Sequence, residues 1–87
     1  MQSTSLEAYR NLGRLGEKQH AVHQMILSAN RLGYDMTDKE LSRALKWEIN
    51  TVTPRRNELV KMGLVVRSQI RECSVTGRRV IAWKVIQ

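Results

Sequence analysis

The chain has no phenylalanine, one cysteine, one proline and only eight acidic residues among 87. Each scarcity excludes something. A single cysteine cannot close an internal disulfide, which fits a reducing cytoplasm and rules out a disulfide-stapled scaffold. Two Trp and two Tyr without any Phe give little material for base stacking, so a single-strand binder built on aromatic platforms is poorly supported. No apolar run approaches the ~18–20 residues that span a bilayer. The first ten residues also lack the charged-then-apolar order of a signal peptide. Repeats, low-complexity tracts and Pro/Gly/Ser-rich linkers are missing too, so the chain reads as one domain. A chain this short hides roughly 60–65% of its unfolded surface, too little for a core with a deep catalytic cleft.

Chemistry is equally sparse. There is no Ser/His/Asp set, glycine-rich phosphate loop or paired carboxylate motif, so neither an enzyme nor a small-molecule substrate is expected. His20 and His23 stand at i, i+3, and Cys73 would make a third metal ligand. Without a CxxC pair or a fourth ligand they read as surface or core-edge residues, and no metal or cofactor is expected.

Positive charge is what the chain has in excess, +7 in all. Residues 1–45 carry six Lys/Arg against five Asp/Glu, whereas residues 46–87 carry nine against three. A merely solvated basic surface would not be segregated in this way. The imbalance implies a polyanionic partner, nucleic acid ahead of anionic lipid.

Periodicity assigns the elements. Residues 1–16 form an N-terminal arm, where Thr4 and Glu7 match a capping box for one short helix before Gly13 and Gly16 interrupt it. The arm would pack on the core or mediate a homodimer. From Glu17 to Leu32, the residues Val22, Met25, Ile26, Ala29 and Leu32 follow helical spacing, with Gly33 as the stop. Thr37 and Glu40 form a second capping box, starting a helix that buries Leu41, Ala44 and Leu45. Residues 46–49 make a tight turn in which Trp47 drives its indole between two helices. A third helix then starts at Asn50 or Thr51, with Pro54 in or just after its first turn. Its core stripe is Val52, Arg56, Leu59 and Gly63. An arginine there must run its stem along the flank and bring its guanidinium out to a phosphate or carboxylate. Leu64–Glu72 and Arg78–Ile86 are strands, the second alternating Ile81, Trp83 and Val85 with Val80, Ala82 and Lys84. Thr76-Gly77 marks the turn between them.

Two short helices across a tight turn, followed at once by a basic β-hairpin, make the layout of a helix-turn-helix running into a wing, which points to double-stranded DNA. The order resembles the winged helix-turn-helix family over residues 17–87. The stretches Trp47 to Leu59 and Cys73 to Arg79, with Trp83, are similar to small winged-helix proteins of bacteriophages and prophages, as is the arm from Ser5 to Leu12. That resemblance implies an α+β fold: a three-helix core, a C-terminal two-stranded hairpin wing and an N-terminal arm. It also implies regulatory or replication-associated work on DNA in the cytoplasm of a bacterial host. Arg56 departs from the aliphatic residue usual at its position.

DNA recognition divides into phosphate contacts for affinity and base contacts for specificity. Asn57, on the outward face of the third helix with Asn50, Pro54 and Lys61, suits the second role because an amide can both donate to and accept from adenine. Thr51 and Thr53 would donate to bases or phosphates, and Asn50 doubles as a helix cap. Arg55 would reach guanine or phosphate, or else pair with Glu58 at i, i+3. Lys61, Arg56, and Arg71, Thr76, Arg78 and Arg79 of the wing complete the expected contact set. The competing expectation is a winged helix serving as a protein-interaction module, which would need no basic reading face.

Overall fold

Gly16 opens helix α1 (Glu17–Arg31). It has no side chain to cap with, and Gln19 compensates by reaching back to accept from the Gly16 amide at 2.9 Å. The computed structural model describes residues 13–86, so the capping box at Thr4 and the arm's short helix lie outside the described residues. Val22 and Ile26 of α1 are fully buried and Met25 partly so. Leu32 departs from the expected stripe, at 76% exposed. It is the C-cap of the helix, with φ −92° and ψ 1°, and beyond a helix end the 3.6-residue period no longer places side chains. His23 is buried beside that stripe, whereas His20 is exposed.

Strand β1 (Met36–Thr37) leads directly into helix α2 (Asp38–Leu45). The expected capping box is present. Thr37 Oγ1 accepts from the Glu40 amide at 3.1 Å, and Glu40 Oε1 accepts from the Thr37 amide at 3.0 Å. Leu41 is fully buried and Leu45 packs against the core, but Ala44 is exposed. In so short a helix only the i, i+4 pair faces inward, and Ala44 sits to its side.

Lys46 adopts the left-handed conformation at φ 60°, and the turn ends sooner than its residues suggest. Helix α3 runs from Ile49 to Lys61, with Glu48 as an N-cap that makes no side-chain capping bond. Asn50 and Thr51 are therefore first-turn residues, not caps. The earlier start also puts Pro54 inside the helix, where it has no amide hydrogen to give the carbonyl of Asn50. Both Pro54 and Asn50 are exposed, so water can serve that carbonyl. Trp47 packs partly buried against the core, and its backbone is pinned by Ser42, whose hydroxyl donates to the Trp47 carbonyl.

Strands β2 (Val65–Glu72) and β3 (Arg79–Val85) pair antiparallel, with a bulge between Arg67 and Gln69. The sheet is not the two-stranded hairpin read from the sequence. β1 adds to the far edge of β3, giving the order β1-β3-β2. Two residues carry no detectable period of their own, which is why this strand was invisible beforehand. Its effect is plain at Ala82, fully buried opposite Thr37, itself fully buried. The described fold is thus a small α+β domain of three helices and one three-stranded antiparallel sheet.

The core joins Val22 and Ile26 of α1, Leu41 of α2, Val52 and Leu59 of α3, and Leu64, Val65 and Val85 around the sheet. Leu59 is fully buried in this cluster, so Leu59→Ala should lower unfolding free energy by about 2–5 kcal/mol in urea denaturation. Ala44→Ser should change it by under about 1 kcal/mol. Equal losses would mean that Ala44 is a core residue after all.

Candidate nucleic-acid interface

The exposed face of α3 holds Asn50, Pro54, Asn57 and Lys61, the set expected from the helical wheel. Asn57 and Lys61 form no side-chain hydrogen bond or ion pair among the described residues. Thr51 is half-buried. Three neighbours are occupied. Arg55 pairs with Glu58 at 3.1 Å, the i, i+3 bridge, with both side chains 37% exposed. Glu58 also accepts from Gln19 Nε2 at 2.7 Å, tying α3 to the start of α1. Such an exposed pair contributes a few tenths of a kcal/mol at most and yields readily to a phosphate.

Arg56 is held more firmly. It donates to Asp38 twice, from Nε at 2.8 Å and from its terminal nitrogen at 2.7 Å. Its guanidinium lies 4.0 Å from the centre of the Trp83 ring. Thr53 donates to the same Asp38 carboxylate at 3.0 Å. The awkward arginine of the core stripe thus finds a carboxylate, not solvent. It locks the start of α2 to the middle of α3 and covers Trp83 of β3.

Arg71 is bound inward as well. Its Nε donates to Asp35 at 2.7 Å, and its two terminal nitrogens donate to the two oxygens of Glu40 at 2.9 and 2.7 Å. Asp35 also accepts from Ser68 at 2.8 Å and Gln69 at 2.9 Å, and Glu40 accepts from the Ser74 amide and hydroxyl. Burial raises the affinity of Glu40 for a proton, but the bonds from Arg71, Ser74 and Thr37 outweigh it and hold the carboxyl at about 2. The same opposition holds Asp35 below its ordinary value, Arg71 again the principal donor against burial. An arginine so engaged ties the β2–β3 hairpin to β1 and α2.

Arg78, Arg79 and Thr76, at the turn between β2 and β3, are exposed. The turn is set by backbone bonds from the Cys73 amide to the Arg78 carbonyl and from the Gly77 amide to the Cys73 carbonyl, each 2.8 Å. Thr76 Oγ1 accepts from the Arg78 amide at 3.2 Å. Cys73 is buried at the base of the wing with its sulfur 3.1 Å from Thr37 Oγ1. Burial raises its thiol, but hydrogen bonds from Thr37, Thr76 and Val75 draw it below the ordinary value. His20, His23 and Cys73 are not gathered into a metal-binding group.

A cleft of about 560 Å³ lies between α3 and the β2–β3 hairpin. Ile49, Thr53 and Arg56 line one side, Ile81, Trp83 and Arg78 the other, and Lys39 of α2 closes the end. Lys39 and Ile49 were missed in the sequence. Lys39 stands between two acids of a capping box, Asp38 and Glu40, and that context reads as helix-start chemistry. Arg67, exposed on β2 opposite Trp83, was missed for a similar reason: its strand position alone does not mark it as a contact. Among the described residues none of Lys39, Lys61, Arg67, Arg78 and Arg79 makes an ion pair. The chain matches no protein-family model, and no curated protein sequence matches it.

Removing the Arg71 side chain would strand two carboxylates that are each only 11% exposed. Arg71→Ala should therefore cost about 2–4 kcal/mol of stability, and adding Asp35→Asn and Glu40→Gln should restore part of it. Glu40 titrates at 4.5 when unfolded and at about 2 when folded. A depressed carboxyl stabilises the fold fully above its unfolded value. That contribution, on the order of 3 kcal/mol, should disappear as pH falls from about 4.5 to 2 and should not do so in Glu40→Gln. An acid-unfolding curve identical in parent and Glu40→Gln would contradict the assignment.

Proposed function

We propose that this protein binds duplex DNA sequence-specifically as a winged helix-turn-helix reader. Helix α3 would enter the major groove, and the β2–β3 turn would meet the backbone or the minor groove. The role that fits best is a small regulator of bacteriophage or prophage type, or an accessory at a replication or recombination site, acting in the host cytoplasm. No helix among the described residues is long and apolar enough to cross a membrane.

One observation carries the reading: the distribution of paired and unpaired charge. Asp35, Asp38, Glu40 and Glu58 are all engaged by arginines of this chain. The cations left without a partner include Lys39, Arg78 and Arg79 around the cleft and its turn, and Lys61 on the outer face of α3. Glu17, Glu48 and Glu72 stay exposed and outside any ion pair, but the unpaired cations outnumber them, and a surface with that excess attracts phosphate. The order of elements supports the winged-helix form, since the two-helix unit α2–α3 is followed directly by a basic antiparallel hairpin. The short β1 fits as a brace for that hairpin.

The contact set expected from the sequence then divides by role. Asn57 is the base reader, with Asn50 and Thr51 beside it on the first turns of α3. Lys61, Arg78 and Arg79 are phosphate contacts, joined by Lys39 and by Arg55 once it leaves Glu58. Thr76 lies at the turn. Arg56, Thr53 and Arg71 serve by holding α3 and the wing in place.

If about 4–5 phosphates are neutralised, log K against log salt should fall with a slope of about −4. Asn57→Ala should cost ~1–3 kcal/mol on a preferred site selected from a random pool and change binding to random duplex little. Arg79→Ala should weaken both alike and make the slope shallower by roughly one unit. A flat salt response, or no duplex binding at low salt, would favour a protein-interaction module.

A further inference from the structure

Phosphate contact alone does not account for the lining of the cleft between α3 and the β2–β3 hairpin. Ile49, the first residue of α3, and Val80 of β3 both line it, and each stays 37% exposed. Ile81 and Trp83, half-buried, continue the apolar lining. A phosphodiester finds nothing to bond with there. The volume of about 560 Å³ falls among clefts of roughly 300–1,000 Å³ that enclose small organic ligands.

Charge selects the other half of the occupant. The ionisable groups in the lining are Asp38, Lys39, Arg56 and Arg78. Asp38 and Arg56 satisfy each other, since both carboxylate oxygens take a bond from Arg56, at 2.8 and 2.7 Å. Lys39 and Arg78 are exposed, and among the described residues their side chains make no hydrogen bond or ion pair. The cleft therefore carries two uncompensated positive charges, complementary to an anion. The planar fork of Arg78 matches a carboxylate in particular. An occupant that meets both the charges and the apolar lining has an anionic group on a compact apolar body, and the Trp83 ring favours an aromatic one.

The walls are held by side-chain bonds as well as by backbone. Arg56 of α3 grips Asp38 of α2, and its guanidinium lies 4.0 Å from the centre of the Trp83 ring on β3. Thr53 of α3 adds a bond to the same Asp38 at 3.0 Å. One arginine–carboxylate pair thus fixes three elements that form the cleft. The turn carrying Arg78 is set by the Cys73 amide on the Arg78 carbonyl and the Gly77 amide on the Cys73 carbonyl. A site whose walls are already placed loses little freedom on binding.

We infer that this cleft binds a small aromatic carboxylate, its ring against Ile49, Val80, Ile81 and Trp83 and its carboxylate on Lys39 and Arg78. The same two cations are phosphate contacts in the proposed DNA complex, so the acid would compete with duplex and act as a releasing effector. Ligand binding stands on the cleft alone. The competition rests on the DNA reading.

Sodium cinnamate is the probe, titrated into the full chain without nucleic acid and followed by backbone NMR shifts. The largest shifts should fall on Ile49, Val80, Ile81 and Trp83, with Leu32 and Tyr34 nearly unmoved. Cinnamamide has the same body without the charge and should bind at least about tenfold more weakly, as should cinnamate to Lys39→Ala combined with Arg78→Ala. Both cations are exposed and unpaired, so circular dichroism should show an unchanged melting temperature for that variant. A short duplex added at low salt should displace cinnamate. No cinnamate binding at millimolar concentration overturns the inference and leaves the DNA reading untouched. Amide binding as tight as the acid, or shifts centred on Leu32 and Tyr34, overturns it equally. Cinnamate and duplex bound together would overturn the competition, whereas a chain that binds cinnamate at the cleft but no duplex upholds the ligand site and overturns the DNA reading alone.

Discussion

Arg71 stands between Asp35, just ahead of β1, and Glu40, in the first turn of α2, and bonds to both carboxylates at 2.7 Å. Glu40 is at the same time half of the capping box that starts α2 and the acceptor for Ser74 in the turn between β2 and β3. One carboxylate therefore fixes where a helix begins, where a strand lies and where a turn is anchored. A hairpin on a free hinge would lose entropy on docking to any partner. This one is already placed. The Arg56–Asp38 pair does the corresponding work for α3, setting it against α2 and against Trp83 of β3.

These clamps also decide the electrostatics. Each takes acidic groups out of the surface field and turns them toward arginines of the same chain. Net charge alone says that the molecule is basic, but the pairing says where. Among the described residues, cations remain unpaired at the start of α2, the end of α3 and the turn between β2 and β3, and also elsewhere, at Lys18, Arg31, Arg43, Lys46 and Lys84. The excess of unpaired cations around α3 and the β2–β3 turn is what the proposed polyanion-binding face rests on.

Much of this was legible in the sequence. The capping box at Thr37, the burial of Val22, Ile26, Leu41, Val52 and Leu59, and the strands on either side of Thr76-Gly77 all follow from spacing and local chemistry. The inward turn of Arg56 was also legible, because an arginine on a core stripe has few other solutions. What could not be read depended on partners distant in sequence. Asp35 and Arg71 are 36 residues apart, and nothing near Arg71 distinguishes a clamp from a phosphate contact. β1 exists only because β3 offers it an edge. The start of α3 was misplaced because Asn50 and Thr51 are good caps by type, whereas the left-handed turn at Lys46 let the helix begin earlier. Leu32 continued the periodic stripe of α1 on paper, but the helix ends one residue before it.

The account rests on a division between the proposed DNA-reading face and the rest of the surface. Backbone NMR shifts during titration with a short duplex test that division directly. The largest changes should fall on Asn50, Asn57 and Lys61 of α3, on Arg78 and Arg79 of the wing and on Lys39 of α2, with Leu32, Tyr34 and Ile86 nearly unmoved. Shifts concentrated at Leu32, Tyr34 and Ile86 while α3 and the wing stay silent would contradict it.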